Sequence, residues 1–306
     1  MSPHIDRNYD ECPEHVPDFA KDIFDNLREK ELKHRPKNGY MGTKQDEITE
    51  SMRAILVDWL IDVCFKFGLH IETLYLCVNL TDRFLSKSRI SRSKLQLVGV
   101  TALLLAAKYE EIYPPSIRKL KEICADIYSR EHILQMEQIM LDTLRYNLTV
   151  VTPFQFVSRF WKAACNDEQH DSVMPEDQDS QLTIKHMMFY MSELLLLDYQ
   201  SAVQFLPSVQ SAACLFVSLK IAHSIENRDA AQSTSDEDLW NDHVHYYTGY
   251  KLVDIQSCVD RLIHLIEKER LHATSTKLNT IRKKWSRSSR SRVATFVPDH
   301  LALLSA

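Results

Sequence analysis

Residues 95–107 carry no charge and place bulky aliphatic side chains on every side of a helical wheel. Leu95, Leu97, Val98, Val100, Leu103, Leu104 and Leu105 are too many and too widely spread for the single apolar stripe of a surface helix. Gly99, Ala102, Ala106 and Ala107 interrupt them with small side chains that let other helices approach closely. The segment is too short to cross a bilayer, which takes about 18 or more apolar residues. It therefore demands burial on all sides, and the rest of the chain must supply helices to wrap it. The glycine content, five residues in 306, agrees: it disfavours turn-rich β folds and glycine-rich phosphate loops.

The flanking sequence supplies those helices. Residues 17–32 read as one, with Phe19, Ile23, Phe24 and Leu27 as its stripe and Pro17 in the first turn. Around the apolar rod, a helix capped by Ser51 stops at Gly68, a second spans 72–86, and the rod itself extends over 93–111. Pro114-Pro115 cannot continue it. A fourth helix is expected over 116–127 and a fifth after Ser129, with Ile133, Met136, Met140 and Leu144 as its buried stripe. A second set of five follows near 153–165, 180–197, 207–224, 236–247 and 251–271. Leu206-Pro207-Ser208-Val209-Gln210-Ser211-Ala212-Ala213 loosely echoes residues 95–102. The fold class is all-α. The divisions are 1–50 with an N-terminal helix, 51–150 and 151–271 as five-helix sets, and 272–306 as a basic tail. Acidic 166–180 and polar 226–238 read as surface loops.

Charge and cysteine content narrow the function classes. The net charge of −5 hides seven Lys or Arg and no Asp or Glu between Lys277 and Arg292. The 276 residues before that stretch hold 30 basic and 41 acidic side chains, near −11. So acidic a body disfavours general nucleic-acid binding, and a solvated or docked tail is the expected role of the basic stretch. Seven Cys without a CxxC pair suit reduced thiols, with Cys64, Cys77, Cys124, Cys214 and Cys258 as packing residues. The first residues, with Asp6, Arg7, Asp10 and Glu11, lack a signal-peptide pattern, and no membrane span is expected. No nucleotide-binding glycine pattern, HExxH spacing or nucleophile elbow occurs, and His243 with His245 form a surface pair without further ligands. A helical enzyme would need a deep polar pocket of convergent titratable groups, and none is expected.

Two places break local rules. The rod ends in Lys108-Tyr109-Glu110-Glu111, placing carboxylates at the unfavourable end of a helix dipole. The helix after Ser51 has two apolar faces, Met52, Ile55, Leu56, Trp59 and Leu60 on one, Val57, Ile61, Cys64 and Phe65 on the other. If the second is core, part of the first is an exposed apolar groove, and such surfaces usually bind something.

Met52-Arg53-Ala54-Ile55-Leu56-Val57-Asp58-Trp59-Leu60 resembles the signature of a first cyclin box. Lys94-Leu95-Gln96-Leu97-Val98-Gly99 and Ala107-Lys108-Tyr109-Glu110-Glu111-Ile112-Tyr113-Pro114-Pro115 resemble that box's third helix and exit. Pro36-Lys37-Asn38-Gly39-Tyr40-Met41, Phe205-Leu206-Pro207-Ser208-Val209 and Ile281-Arg282-Lys283-Lys284-Trp285 are similar to A-type members. The resemblance implies two tandem five-helix cyclin folds, an N-terminal helix and an extended C-terminal tail. It further implies a non-enzymatic subunit without cofactor that binds and activates a cyclin-dependent kinase in the nucleus and cytoplasm, controlling cell-cycle progression.

The same resemblance assigns positions. Lys108 and Glu137 correspond to charged contacts around the kinase's regulatory helix, and Leu105, Tyr109, Leu141 and Tyr146 to apolar contacts nearby. Glu110, Glu111 and Ile112 correspond to the edge that meets the kinase activation segment. Arg53 and Asp82 correspond to a structural ion pair. Met52, Ile55, Leu56, Trp59 and Gln96 correspond to a patch that docks Arg-x-Leu substrates and inhibitors, with Asp62 where the family usually places a Glu for the motif's Arg. The destruction motifs usual in A- and B-type members are not evident: the single Arg-x-x-Leu is Arg145–Leu148, at an expected helix end, and Lys-Glu-Asn does not occur. A cyclin-fold transcription factor or pocket-protein relative, acting as a scaffold without a kinase, is the alternative.

Overall fold

The structure is a computed structural model and describes residues 17–165, 177–226, 235–271 and 278–301. Within the described residues, helices account for the regular structure. In chain order they are α1 (Pro17–Lys30), α2 (Glu50–Phe67), α3 (Ile71–Leu85), α4 (Leu95–Glu110), α5 (Ile117–Ile123), α6 (Arg130–Leu144), α7 (Pro153–Cys165) and α8 (Gln178–Leu197). They continue with α9 (Tyr199–Gln204), α10 (Pro207–Glu226), α11 (Asp236–Leu239), α12 (Asp242–Thr248), α13 (Leu252–Leu271), α14 (Thr280–Trp285) and α15 (Val293–Leu301).

The rod expected at 95–107 is α4. Every residue from Leu97 to Ala107 is buried, and α2, α3, α5 and α6 pack around it. Gly99 is required by the crossing with α2. A Cβ at that position would lie 2.6 Å from Leu56 Cδ1. In the second set α10 takes the same place, surrounded by α7, α8, α13 and α15. Its 207–225 stretch is long and apolar enough to cross a bilayer, contrary to the expectation of no such run, but 72% of that window is buried inside the fold. The loose echo between residues 95–102 and 206–213 thus marks two structurally equivalent rods.

Several helix ends differ from the sequence expectation. Thr49, not Ser51, caps α2: its side chain accepts from Met52 N–H, two residues earlier than expected. The C-terminal stop is as expected, with Gly68 at φ +63° donating to Cys64 and Phe65 carbonyls. α5 ends at Ile123 because Ala125 and Asp126 adopt positive φ. The 236–247 helix is broken into α11 and α12, since Asn241 caps the second piece by accepting from Val244 N–H. Asp236-Glu237-Asp238 form the first turn of α11 rather than a solvated loop, with Asp238 accepting from Ser235 N–H in a capping box. His243 and His245 point their rings at the Ala163 and Tyr250 carbonyls.

Three devices tie the N-terminal helix and the two sets together. Glu31, at the end of α1, accepts from Ser208 N–H at 3.0 Å and Ser208 Oγ at 2.7 Å, capping α10 from a distant part of the chain. Arg53 is fully buried in α2. It donates twice to Asp82 on α3, at 2.8 and 2.7 Å, and to the Leu196 and Leu197 carbonyls at the end of α8, at 3.0 and 2.9 Å. Tyr40 O–H donates to the same Asp82 carboxylate at 2.8 Å. The third device is the basic stretch, which docks. Thr280 N–H and Oγ1 donate to Asp58 of α2, at 3.2 and 2.8 Å. Lys284 and Trp285 both donate to Glu193 of α8, which is wholly buried. α14 is thus a strap across both sets.

Candidate functional site: the open end of the central helix

α4 leaves the core at Ala107, and its last turn turns polar. Lys108 Nζ lies 2.6 Å from Glu137 Oε1 on α6, with the lysine side chain 47% exposed and the glutamate 12%. Lys108 is thus open to solvent, whereas Glu137 is mostly covered by the fold beside it. Tyr109 beside it is 47% exposed, and its hydroxyl is 2.6 Å from Thr149 Oγ1. Ile112 is 85% exposed, an unusual state for a large aliphatic side chain. Tyr146 is also exposed; Arg145 and Tyr146 both adopt left-handed backbone (φ +55°), which turns the chain sharply after α6. The Tyr146 hydroxyl is held by Gln138 and Asp142 of α6.

The remaining expected contact residues split. Leu141 is half-buried and Leu105 is buried in the core. Glu110 is exposed, its carboxyl pushed up by partial desolvation and then by Glu72 and Glu111. Glu111, the next residue of the expected edge, has partners within the fold. Its carboxylate turns inward and accepts from His70 N–H at 2.7 Å and Thr73 Oγ1 at 2.5 Å, so it caps α3. That resolves the dipole anomaly read from sequence: the acid sits at the end of α4 but serves the N-terminus of α3. Two exposed side chains were not foreseen, Tyr113 (90%) and Ile139 on α6. Ile139 is legible in hindsight, being apolar yet off the buried stripe of Ile133, Met136, Met140 and Leu144.

The second surface lies on α2. Ile55 is exposed, Met52, Trp59 and Gln96 are half-buried, and Leu56 is beneath them at 5% exposure. Leu56 is therefore the floor of this patch rather than its surface. Asp62 does not stand free: Lys66 Nζ is 2.6 Å from its carboxylate. Arg53 and Asp82 form the buried pair described above.

The cyclin N-terminal domain model matches residues 22–149 and the cyclin C-terminal domain model residues 151–299. Among curated proteins, a G2/mitotic-specific cyclin-A of Hydra viridissima is 36% identical over 92% of this chain and 60% of its own length. Cyclin-A1 of Xenopus laevis is 39% identical over 85% of this chain and 56% of its own. Cyclin-A1 of Homo sapiens is 36% identical over 94% and 55%. The chain thus spans about half to three fifths of the length of these relatives. Among solved structures, a viral cyclin from herpesvirus saimiri superposes with a TM-score of 0.62 at 19% identity, covering 79% of this chain and 96% of its own. A chain of the CAK complex of Chaetomium thermophilum bound to ATP-gamma-S gives 0.51 at 14% identity, over 93% and 81%. These two likenesses concern the fold.

Proposed function

The chain belongs to the cyclin family, and from that premise we propose that it is a regulatory subunit that binds and activates a cyclin-dependent protein kinase and has no catalysis of its own. The observation that carries this is the uncovered end of α4. Lys108 and Glu137 form a charged pair there beside exposed Tyr109, Ile112 and Tyr113. A cation, a carboxylate and exposed aromatic and aliphatic side chains together suit the backbone ends and apolar face of a partner helix. In protein kinases the mobile regulatory helix carries the Glu that must pair with the ATP-binding Lys. A subunit that binds only the active placement of that helix shifts the kinase population toward activity.

The α2 patch supports the finer part of the reading, recruitment of Arg-x-Leu substrates and inhibitors. Ile55, Met52 and Trp59 offer an apolar slot for the Leu, and Asp62 a carboxylate for the Arg once Lys66 yields it. Cell-cycle control, in nucleus and cytoplasm, belongs to the same proposal.

Affinity capture with mass spectrometry of bound kinases tests it. Lys108→Ala with Glu137→Ala is expected to abolish capture while circular dichroism stays unchanged. Undiminished kinase binding by that double variant would remove the site. Trp59→Ala is expected to slow phosphorylation of Arg-x-Leu substrates but not of a short peptide lacking the motif, and equal losses would refute the patch.

A further inference from the structure

A cleft of about 660 Å3 opens on the seam between the two helical sets, which is the size of a small-molecule pocket. Its walls come from the end of α2, the start of α3, α7, α8 and the strap, and it includes none of Lys108, Glu137, Met52, Ile55 or Trp59. The cleft is more apolar than polar, and it lacks the converging acids and bases of an enzyme site. No Asp or Glu lines the cleft. Phe65, Phe154, Phe189 and Trp285 give it flat apolar walls, while Lys185 and Arg290 give it charge.

Those two cations are the informative residues. Both are half-buried, and neither has a carboxylate within ion-pair distance among the described residues. Each stacks on an indole, Lys185 Nζ 4.3 Å from the Trp161 ring centre and Arg290 4.6 Å from that of Trp285. Burial lowers the pKa of both. Glu193 attracts Arg290, but its two oxygens are already taken by Lys284 and Trp285. Arg287, which does not line the cleft, lies 4.3 Å from the ring centre of Phe65, which does. An anion placed between cations that are partly withdrawn from water would recover part of their lost hydration.

We propose that this cleft binds a phosphate monoester carried on an aromatic or similarly flat apolar group. A phosphate monoester near neutral pH brings a charge of about −1.5 to −2, which matches Lys185 and Arg290 together. The flat group would fill the phenylalanine-lined part, and a ligand so placed touches both helical sets and the strap at once.

The test is calorimetric titration of the whole chain with phenyl phosphate, against inorganic phosphate and benzyl alcohol as its charged and apolar halves. Saturable binding of phenyl phosphate is expected, with a rise in the melting midpoint. Each half should bind at least about tenfold more weakly, the worth of one charge-assisted hydrogen bond or one buried ring. Arg290→Met should weaken phenyl phosphate by about tenfold or more. If Arg290→Met disturbs the strap, Lys185→Met, on α8 away from it, should give the same loss with an unchanged melting midpoint in the absence of ligand. Equal binding of inorganic phosphate overturns the proposal, as does wild-type affinity in a folded Lys185→Met variant, or no saturable heat at millimolar phenyl phosphate. The readout involves no kinase, so it stands or falls apart from the kinase-binding reading.

Discussion

At Arg53 a guanidinium without solvent contact uses Asp82 and two carbonyls of the other helical set to replace water. Breaking such a pair leaves a charge stranded in the interior. Asp82→Ala should therefore lower unfolding free energy by about 3–5 kcal/mol in urea titration. Glu111 belongs to the same scale but to a gentler effect. Glu111→Ala removes a cap from α3 and should reduce stability by about 1 kcal/mol. That loss must be measured before any effect of the variant on partner binding is interpreted. His186 contributes a pH response. Partial burial lowers its imidazole below the usual histidine value, with Arg290 and Lys185 adding to this. At this position the unfolded chain takes up the proton first. The stability from this group is present above about pH 6.5 and declines as pH falls through the folded value. The urea midpoint should drop between about pH 7.5 and about pH 5.5, and His186→Gln should flatten that slope.

At the scale of elements, the crossing of α2 and α4 is set by one missing side chain. Gly99→Ala should gain about 1 kcal/mol in helix propensity but force Leu56 aside, at about 1–3 kcal/mol. A net loss in urea stability is expected, together with weaker binding of an Arg-x-Leu peptide, because Leu56 is the floor of that patch. The elements themselves were largely legible. A segment apolar all round can only be a central rod, and amphipathic stripes of the right period can only surround it. What escaped was local competition between caps. Thr49 and Ser51 are both capping types, and Asn241 divides a stretch whose apolar period runs on unbroken. Lys108 and Glu137 could be named only through family resemblance, since a solvated face gives the same pattern. The partnership of Glu111 with His70 and Thr73 was invisible because nothing in sequence spacing says that two helix ends meet.

At the scale of the whole molecule, the strap makes two folds behave as one. Residues 280–285 fasten to Asp58 in the first set and Glu193 in the second. Lys284→Met strands the buried Glu193 carboxylate, an effect of about 3–5 kcal/mol. Scanning calorimetry should show a single transition for the natural chain and a separated, earlier transition of the second set for the variant. Of the basic stretch, read as a solvated or docked tail, residues 280–290 dock, with Arg287 and Arg290 lying over the rings of Phe65 and Trp285.

Ile112 and Tyr113 stand almost wholly in water. A surface of that kind is ill suited to solitude. Left without a companion at high concentration, such chains should stick to one another, and light scattering of the purified subunit should climb with concentration. Adding the missing companion, or replacing Ile112 and Tyr113 by Ser, should bring the scattering down. The abundance of the lone subunit in a cell would then track the supply of whatever shields it.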